Sequence, residues 1–229
     1  MIKFENGEIV GWEAAIRGMR NPMNSWEKSD SFPCIGCEGC EPGQECERYN
    51  DVIGPNDLDL MKRLRNAGTD HRKFMRMITV YVDIVAPLYW WKEFDTYKVG
   101  TVANSCSTMH KIQAKEFTLD DFSHEHLIST YLLETIINEL NIYRNIYNNY
   151  TEQTDEYKTQ PSKKDIWWQM IQLLPSSYNQ RRTIMLNYEV LANIYKSRRN
   201  HKLDEWRAFC EWIESLPYSE LITGKVEEN

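Results

Sequence analysis

Hydrophobic and polar residues alternate along residues 78–85. Ile78, Val80, Val82 and Ile84 fall on one side, and Thr79, Tyr81, Asp83 and Val85 on the other. A period of two puts successive side chains on opposite faces, so this stretch predicts a strand buried mainly on one face. Pro87 closes it. A looser alternation over residues 1–10 predicts an edge strand. Elsewhere the period lengthens to that of a helix. Leu133, Ile136, Ile137, Leu140, Tyr143, Ile146 and Tyr147 share one stripe and predict a long helix over residues 127–150. Shorter helices are expected over 12–19, 56–66, 164–174, 177–199 and 203–214, with Pro175 and Pro217 at the breaks. Asn56 or Asp57 is the expected cap of the 56–66 helix, and Gly68 its stop. Residues 88–99 carry aromatics without a decisive period, and 100–110 read as a loop or irregular strand. A polar linker follows the long helix, and the tail Thr-Gly-Lys-Val-Glu-Glu-Asn is expected to fray. Helices outnumber strands and the strands are segregated. The pattern therefore predicts an α+β domain spanning residues 1–229.

One stretch has no period at all. Residues 20–54 are rich in Asn, Pro, Ser, Gly and Cys, and a segment of that length needs an outside reason to be ordered. Four of the six cysteines lie in it, as Cys34, Cys37, Cys40 and Cys46, with the spacing C-x2-C-x2-C-x5-C. Thiolates two residues apart converge on one tetrahedral ion, so the window is a candidate zinc or iron–sulfur site inserted at about 20–55. Four thiolates leave no open coordination position, which makes such a site structural. The competing reading is an irregular loop with free thiols.

Charge narrows the partners. Lys plus Arg number 27 and Asp plus Glu 34, for a net charge of −7. That balance argues against a general nucleic-acid binder, which needs a basic footprint, but not against a small anion in a local basic pocket. No window of 18 apolar residues predicts a membrane span. The first residues lack the basic-then-apolar layout of a secretory signal, so a cytoplasmic setting is expected.

Among candidate chemical groups, Trp90-Trp91 and Trp167-Trp168 are expected in the core, with a ring-stacking platform as the alternative. His124 and His126 are two apart and chelate poorly from a helix. His110 and His201 belong to no pattern. Ser105, Cys106 and Ser107 are potential nucleophiles without a visible base. The glycine-rich phosphate loops and the Gly-x-Ser-x-Gly elbow are absent.

The stretch from Asp70 to His110 resembles the core of the flavin-dependent thymidylate synthases. His71 stands shortly before the strand, the strand ends in Ala86-Pro87, and Asn104 and Ser107 fit an Asn-x-x-Ser motif. The segment Leu174 to His201 resembles that family's second block, with Asn187, Asn193 and Arg198 at its spacing. Together the blocks cover a little under a third of the chain. There are departures. A basic Arg-His-Arg triplet is replaced around Thr96-Tyr97-Lys98, where Lys98 alone keeps a charge. Met109 stands for the arginine of Ser-x-Arg, and Glu189 for an arginine two residues after Asn187. Losing a charged clamp on a phosphate costs about 1.5–3 kcal/mol. Lys73, Arg76, Arg181, Arg182 and Arg199 are the candidates to compensate.

The resemblance implies a fold like that of the thymidylate-synthase-complementing proteins, a small antiparallel sheet with a long-helix bundle. It implies FAD held by His71, Lys98, Asn104, Asn187 and Asn193, and a dUMP-like nucleotide held by Ser107 and Arg198, with Ser107 also the catalytic candidate. Reduced folate and NADPH as co-reactants, transfer of a one-carbon group and assembly as a homotetramer follow from the same resemblance. Asn187 and Arg198 are 11 residues apart, about 16 Å along one face of a helix, a span suited to one long ligand or two end to end. Two other readings remain: a non-catalytic relative that binds a nucleotide, and an interaction module ordered by a metal at the cysteine window.

Overall fold

The computed structural model describes residues 2–32, 53–151 and 161–224. The candidate metal ligands Cys34, Cys37, Cys40 and Cys46 lie outside the described residues. In chain order the elements are β1 (Lys3–Val10), α1 (Trp12–Arg20), α2 (Pro55–Asn66), β2 (Thr79–Pro87), α3 (Leu88–Phe94), β3 (Val102–Ser105), α4 (Thr108–Lys111), α5 (Tyr131–Asn148), α6 (Lys163–Leu173), β4 (Asn179–Asn187), α7 (Tyr188–Arg198), α8 (Asp204–Glu214) and α9 (Glu220–Thr223). Short 3-10 turns occupy Asn21–Met23, Trp26–Lys28, Arg72–Arg76 and Leu119–Asp121. The strands form an antiparallel sheet in the order β1-β2-β4-β3. This is the α+β fold that the periodicities imply, with β1 at the edge as expected. No helix among the described residues is long and apolar enough to cross a membrane.

The expected helix over 177–199 is corrected. Its first half is β4 and only its second half, α7, is helical. Along β4, Gln180, Ile184 and Leu186 are buried while Arg181 and Thr183 are exposed. That is the alternation of a strand. The run is short enough to satisfy either period from sequence, and pairing between β2 and β3 selects the strand. The expected long helix begins at Tyr131, four residues later than its predicted start at 127.

The chain falls into two compact units. The first comprises residues 1–3, 84–96 and 104–183; the second comprises 4–83, 97–103 and 184–229. The chain passes from one to the other within each of the four strands, and once more between Thr96 and Tyr97.

In the first unit α5 lies against α6. Leu133, Ile137 and Leu140 of α5 close over Met170, Phe117 and Phe122. Trp90 and Trp91 are fully buried, as expected of core residues. The Trp91 Nε1–H donates to the Gln180 carbonyl at 2.9 Å, and the Arg182 guanidinium lies 4.2 Å above its ring.

The second unit gathers α1, α2 and α7 to α9. Trp12 meets Tyr188 and Tyr218 edge-on, each at 5.2 Å between centroids. Its other organising feature is a buried ion pair. Asp57, on the first turn of α2, is fully buried, and Arg20 at the end of α1 is 4% exposed. Arg20 Nε donates to Asp57 Oδ1 at 2.6 Å, and its other nitrogens donate to the Ser25 and Lys28 carbonyls at 3.2 and 3.0 Å. The other Asp57 oxygen accepts the Ser29 and Ser31 hydroxyls at 2.7 and 2.6 Å, and the Asp30 and Ser31 amides at 3.2 and 3.1 Å. Asp57 therefore lies inside the helix and is not its cap. The cap is Asp30, whose carboxylate accepts the Asn56 and Asp57 amides at 2.9 and 3.0 Å. This knot supplies the order that residues 20–32 lack in their own hydrophobic pattern.

Candidate functional site

The β4–α7 junction is a strand that turns directly into a helix. Asn187, the last strand residue, keeps an extended backbone, and its Oδ1 accepts the Val190 amide at 3.0 Å. Asn is among the best residues for this capping position. The cap occupies Oδ1 and leaves the amide nitrogen, Nδ2, turned toward Gly100. Gly100 has φ +76, and a Cβ there would lie 3.1 Å from Asn187 Nδ2 and from a Val190 methyl. A Gly100→Ala substitution is expected to cost about 1–2 kcal/mol, from the left-handed backbone and the close approach together. Urea denaturation of the variant measures it.

The 97–100 loop reaches both ends of α7. Gly100 meets its start. Tyr97 meets its end, where Arg198 Nε donates to the Tyr97 hydroxyl at 2.9 Å. The Arg198 guanidinium lies 4.6 Å from the Trp206 ring centroid and 5.7 Å from that of Tyr97. Two aromatic faces thus fix the orientation of a planar cation, which lowers the entropy lost when it grips an anion. Lys98 is exposed, between the two contact residues of this loop.

The Arg72–Arg76 turn meets α7 from another side. Glu189, which stands where the resemblance expects an arginine, is 6% exposed. Arg72 donates to its Oε1 and to Asn193 Oδ1, both at 3.2 Å. Arg76 grips the other Glu189 oxygen through Nε. Burial pushes the Glu189 carboxyl up, but the hydrogen bonds and charges of Arg76 and Arg72 outweigh it, and its pKa lies below the ordinary value. His71 is the exposed residue that opens this turn, one position before Arg72. Of the candidates to compensate for lost charge, Arg76 is engaged here.

The second unit thus holds His71, Lys98, Asn187, Asn193 and Arg198, distributed around α7 and its neighbouring segments. Asn104 and Ser107 belong to the first unit. Asn104 is exposed on β3. Ser107 caps α4, its Oγ accepting the His110 amide at 3.1 Å. Among the described residues, no group of three or more His, Cys, Asp or Glu is placed to hold a metal ion. Sequence reasoning missed Arg72, Tyr97 and Trp206. The available signal was Glu189 itself, because a carboxylate on a helix that packs into the core must find cations.

No protein-family model matches the chain, and no curated protein matches it. Solved structures do. A crystal structure of thymidylate synthase X from Helicobacter pylori with FAD and dUMP superposes with a TM-score of 0.66 at 13% identity, covering 98% of each chain. A second, described as the flavin-dependent thymidylate synthase from the same organism complexed with FAD and dUMP, gives 0.64 at 13% identity and covers 99% of each chain. The chain has the fold of the flavin-dependent thymidylate synthases. At this identity the likeness is one of backbone. The thymidylate-synthase fold nevertheless extends over the whole length, well beyond the two sequence blocks that resemble the family.

Proposed function

We propose that the chain is a flavin-dependent enzyme of the thymidylate-synthase kind, acting on a pyrimidine deoxynucleotide in the cytoplasm. The observation that carries this reading is the set of polar groups around α7. Asn187 and Asn193 each have an oxygen engaged within the protein, which turns their amide nitrogens into donors of fixed direction. Lys98 and Arg198 add positive charge on the same unit. Amide donors and cations spread along a helix of 11 residues, about 16 Å long, suit a dinucleotide whose charge sits mid-length. In this reading His71, Lys98, Asn187 and Asn193 hold FAD together with Asn104, and Arg198 with Ser107 holds the nucleotide. Ser107 positions the nucleotide by hydrogen bonding.

A flavin bound here would supply the reducing equivalents for moving a one-carbon group to the pyrimidine, with reduced folate as donor and NADPH as reductant. The protein's own part is to bind and orient. Arg198 holds a phosphate, and its two aromatic neighbours keep the fork from rotating away. The amide donors of Asn187 and Asn193 fix the edge of the ring or ribose that faces them. Assembly as a homotetramer belongs to the same reading, and exposed Ile128, Leu132, Ile142 and Ile146 offer an apolar surface for it.

The test is product formation. Purified protein incubated with dUMP, methylenetetrahydrofolate, NADPH and FAD should form dTMP. Arg198→Ala should raise the KM for dUMP at least about tenfold, the loss expected for one charge-assisted phosphate contact. Absence of turnover together with flavin binding would favour a non-catalytic nucleotide-binding relative, a reading motivated by Met109 and Glu189. Absence of both would remove the proposal.

A further inference from the structure

The first unit contains a cleft of about 560 Å³ whose lining includes His110, Gln113, Tyr147, Lys163, Lys164 and Trp167. None of these residues has a part in the function proposed above. Its walls follow from local structure. Helix α6 opens with a capping box in which Ser162 Oγ accepts the Asp165 amide at 3.2 Å and Asp165 Oδ2 accepts the Ser162 amide and hydroxyl at 2.9 and 2.6 Å. The box leaves Lys163 and Lys164 on the exposed first turn, and it commits the nearest carboxylate in sequence to Ser162. The Lys163 ammonium lies 4.8 Å from the centre of the Tyr147 ring, a cation–π contact that holds it at the cleft.

The indole of Trp167 is fixed as well. Its Nε1–H donates to the Met109 carbonyl at 2.9 Å, and Trp168 meets it edge-on at 4.8 Å. An indole whose only donor is committed contributes a flat π face and nothing polar. Gln113 donates from Nε2 to the His110 carbonyl at 3.3 Å. That bond sets the orientation of its amide. Its Oε1 is buried and has no hydrogen-bond partner. A buried carbonyl without a donor is unfavourable, and a ligand N–H that reaches it removes the cost.

We propose that this cleft binds a planar aromatic anion carrying an N–H donor, with its ring on Trp167, its negative group on Lys163 and Lys164, and its N–H on Gln113 Oε1. A purely apolar ligand would desolvate two ammonium groups without compensation. A cationic ligand would be repelled by them. The anionic group is a carboxylate or a phosphate, since an ammonium pair accepts either.

Isothermal titration of the full chain distinguishes these sources with two probes, 4-aminobenzoyl-glutamate for the carboxylate and uridine monophosphate for the phosphate. At least one is expected to bind. Substituting both lysines (K163A/K164A) is expected to weaken that binding at least tenfold, as is Trp167→Leu, while FAD binding by the double lysine variant stays unchanged. The lysines are exposed, so their removal does not threaten folding if the tryptophan variant fails to fold. Binding of one probe alone identifies the anionic group. The proposal is overturned if neither probe binds at millimolar concentration, or if binding is equally strong in the lysine variant. Because FAD binding is read separately, failure here is distinguishable from failure of the flavin reading.

Discussion

Asp57→Ala should lower the stability of the protein by about 3–5 kcal/mol, the loss expected when one partner of a buried, hydrogen-bonded ion pair is removed. Asp57 is fully buried and accepts five hydrogen bonds, from Arg20, Ser29 and Ser31 side chains and from the Asp30 and Ser31 amides. Its removal leaves the Arg20 guanidinium, 4% exposed, without its counter-charge. Asp57→Asn keeps the shape but loses the charge, and should recover only a minor part of the loss. The midpoint of urea denaturation at neutral pH checks both, and a shift equivalent to less than about 1 kcal/mol for the alanine variant would show that the knot is not a stability determinant. The same pair predicts an acid limit. Burial pushes the Asp57 carboxyl up, but bonds from Ser31, Ser29 and Arg20 and the arginine charge bring its pKa below the ordinary value. Glu189 is lowered in the same way. A carboxyl depressed on folding contributes stability that is complete above its unfolded pKa, about 4. That contribution is lost as pH falls through the lower folded value. Stability measured from pH 6 down to pH 2 should therefore fall more steeply in the native chain than in Asp57→Asn.

The second large effect is expected at Glu189. Glu189→Arg places a third guanidinium against Arg72 and Arg76 on a side chain that is 8% exposed, and should cost at least about 3 kcal/mol. Glu189→Gln removes the charge and keeps the acceptor, and should cost about 1–2 kcal/mol, because both arginines retain access to water. The informative variant is the reversed pair, Glu189→Arg with Arg76→Glu, which should recover part of the loss of Glu189→Arg alone. A double-mutant cycle in urea measures the coupling. No recovery would mean that the α7 and Arg72–Arg76 contact depends on more than opposite charges.

How much of this was legible beforehand depended on the range of each interaction. The β2 strand was readable because Ile78 to Ile84 alternate over enough residues to exclude a helix. The β4 strand was not, since Ile184, Met185 and Leu186 are consecutive apolar residues that serve either element, and the deciding partners are strands distant in sequence. The order of residues 20–32 was invisible because Arg20 and Asp57 are 37 residues apart and neither sits in a local motif. Within the candidate site, Asn187, Asn193 and Arg198 were found by spacing along one segment. Their structural tasks were not foreseen: Asn187 caps a helix, Asn193 accepts from Arg72, and Arg198 rests on Trp206. Only the folded chain brings Tyr97 to Arg198 and Arg72 to Glu189, which are 101 and 117 residues apart.

Equilibrium titration of the purified chain with FAD, followed by quenching of flavin fluorescence, tests the flavin reading most directly. Saturable binding with a Kd in the micromolar range or tighter is expected, weakened at least about fivefold by Lys98→Ala and by Asn193→Ala, each the loss of roughly one polar contact. Lys98 is exposed, so its replacement tests the ligand role without disturbing the fold. No saturable binding at 100-fold higher FAD, or binding that ignores both substitutions, would contradict the assignment of a flavin to the groups around α7.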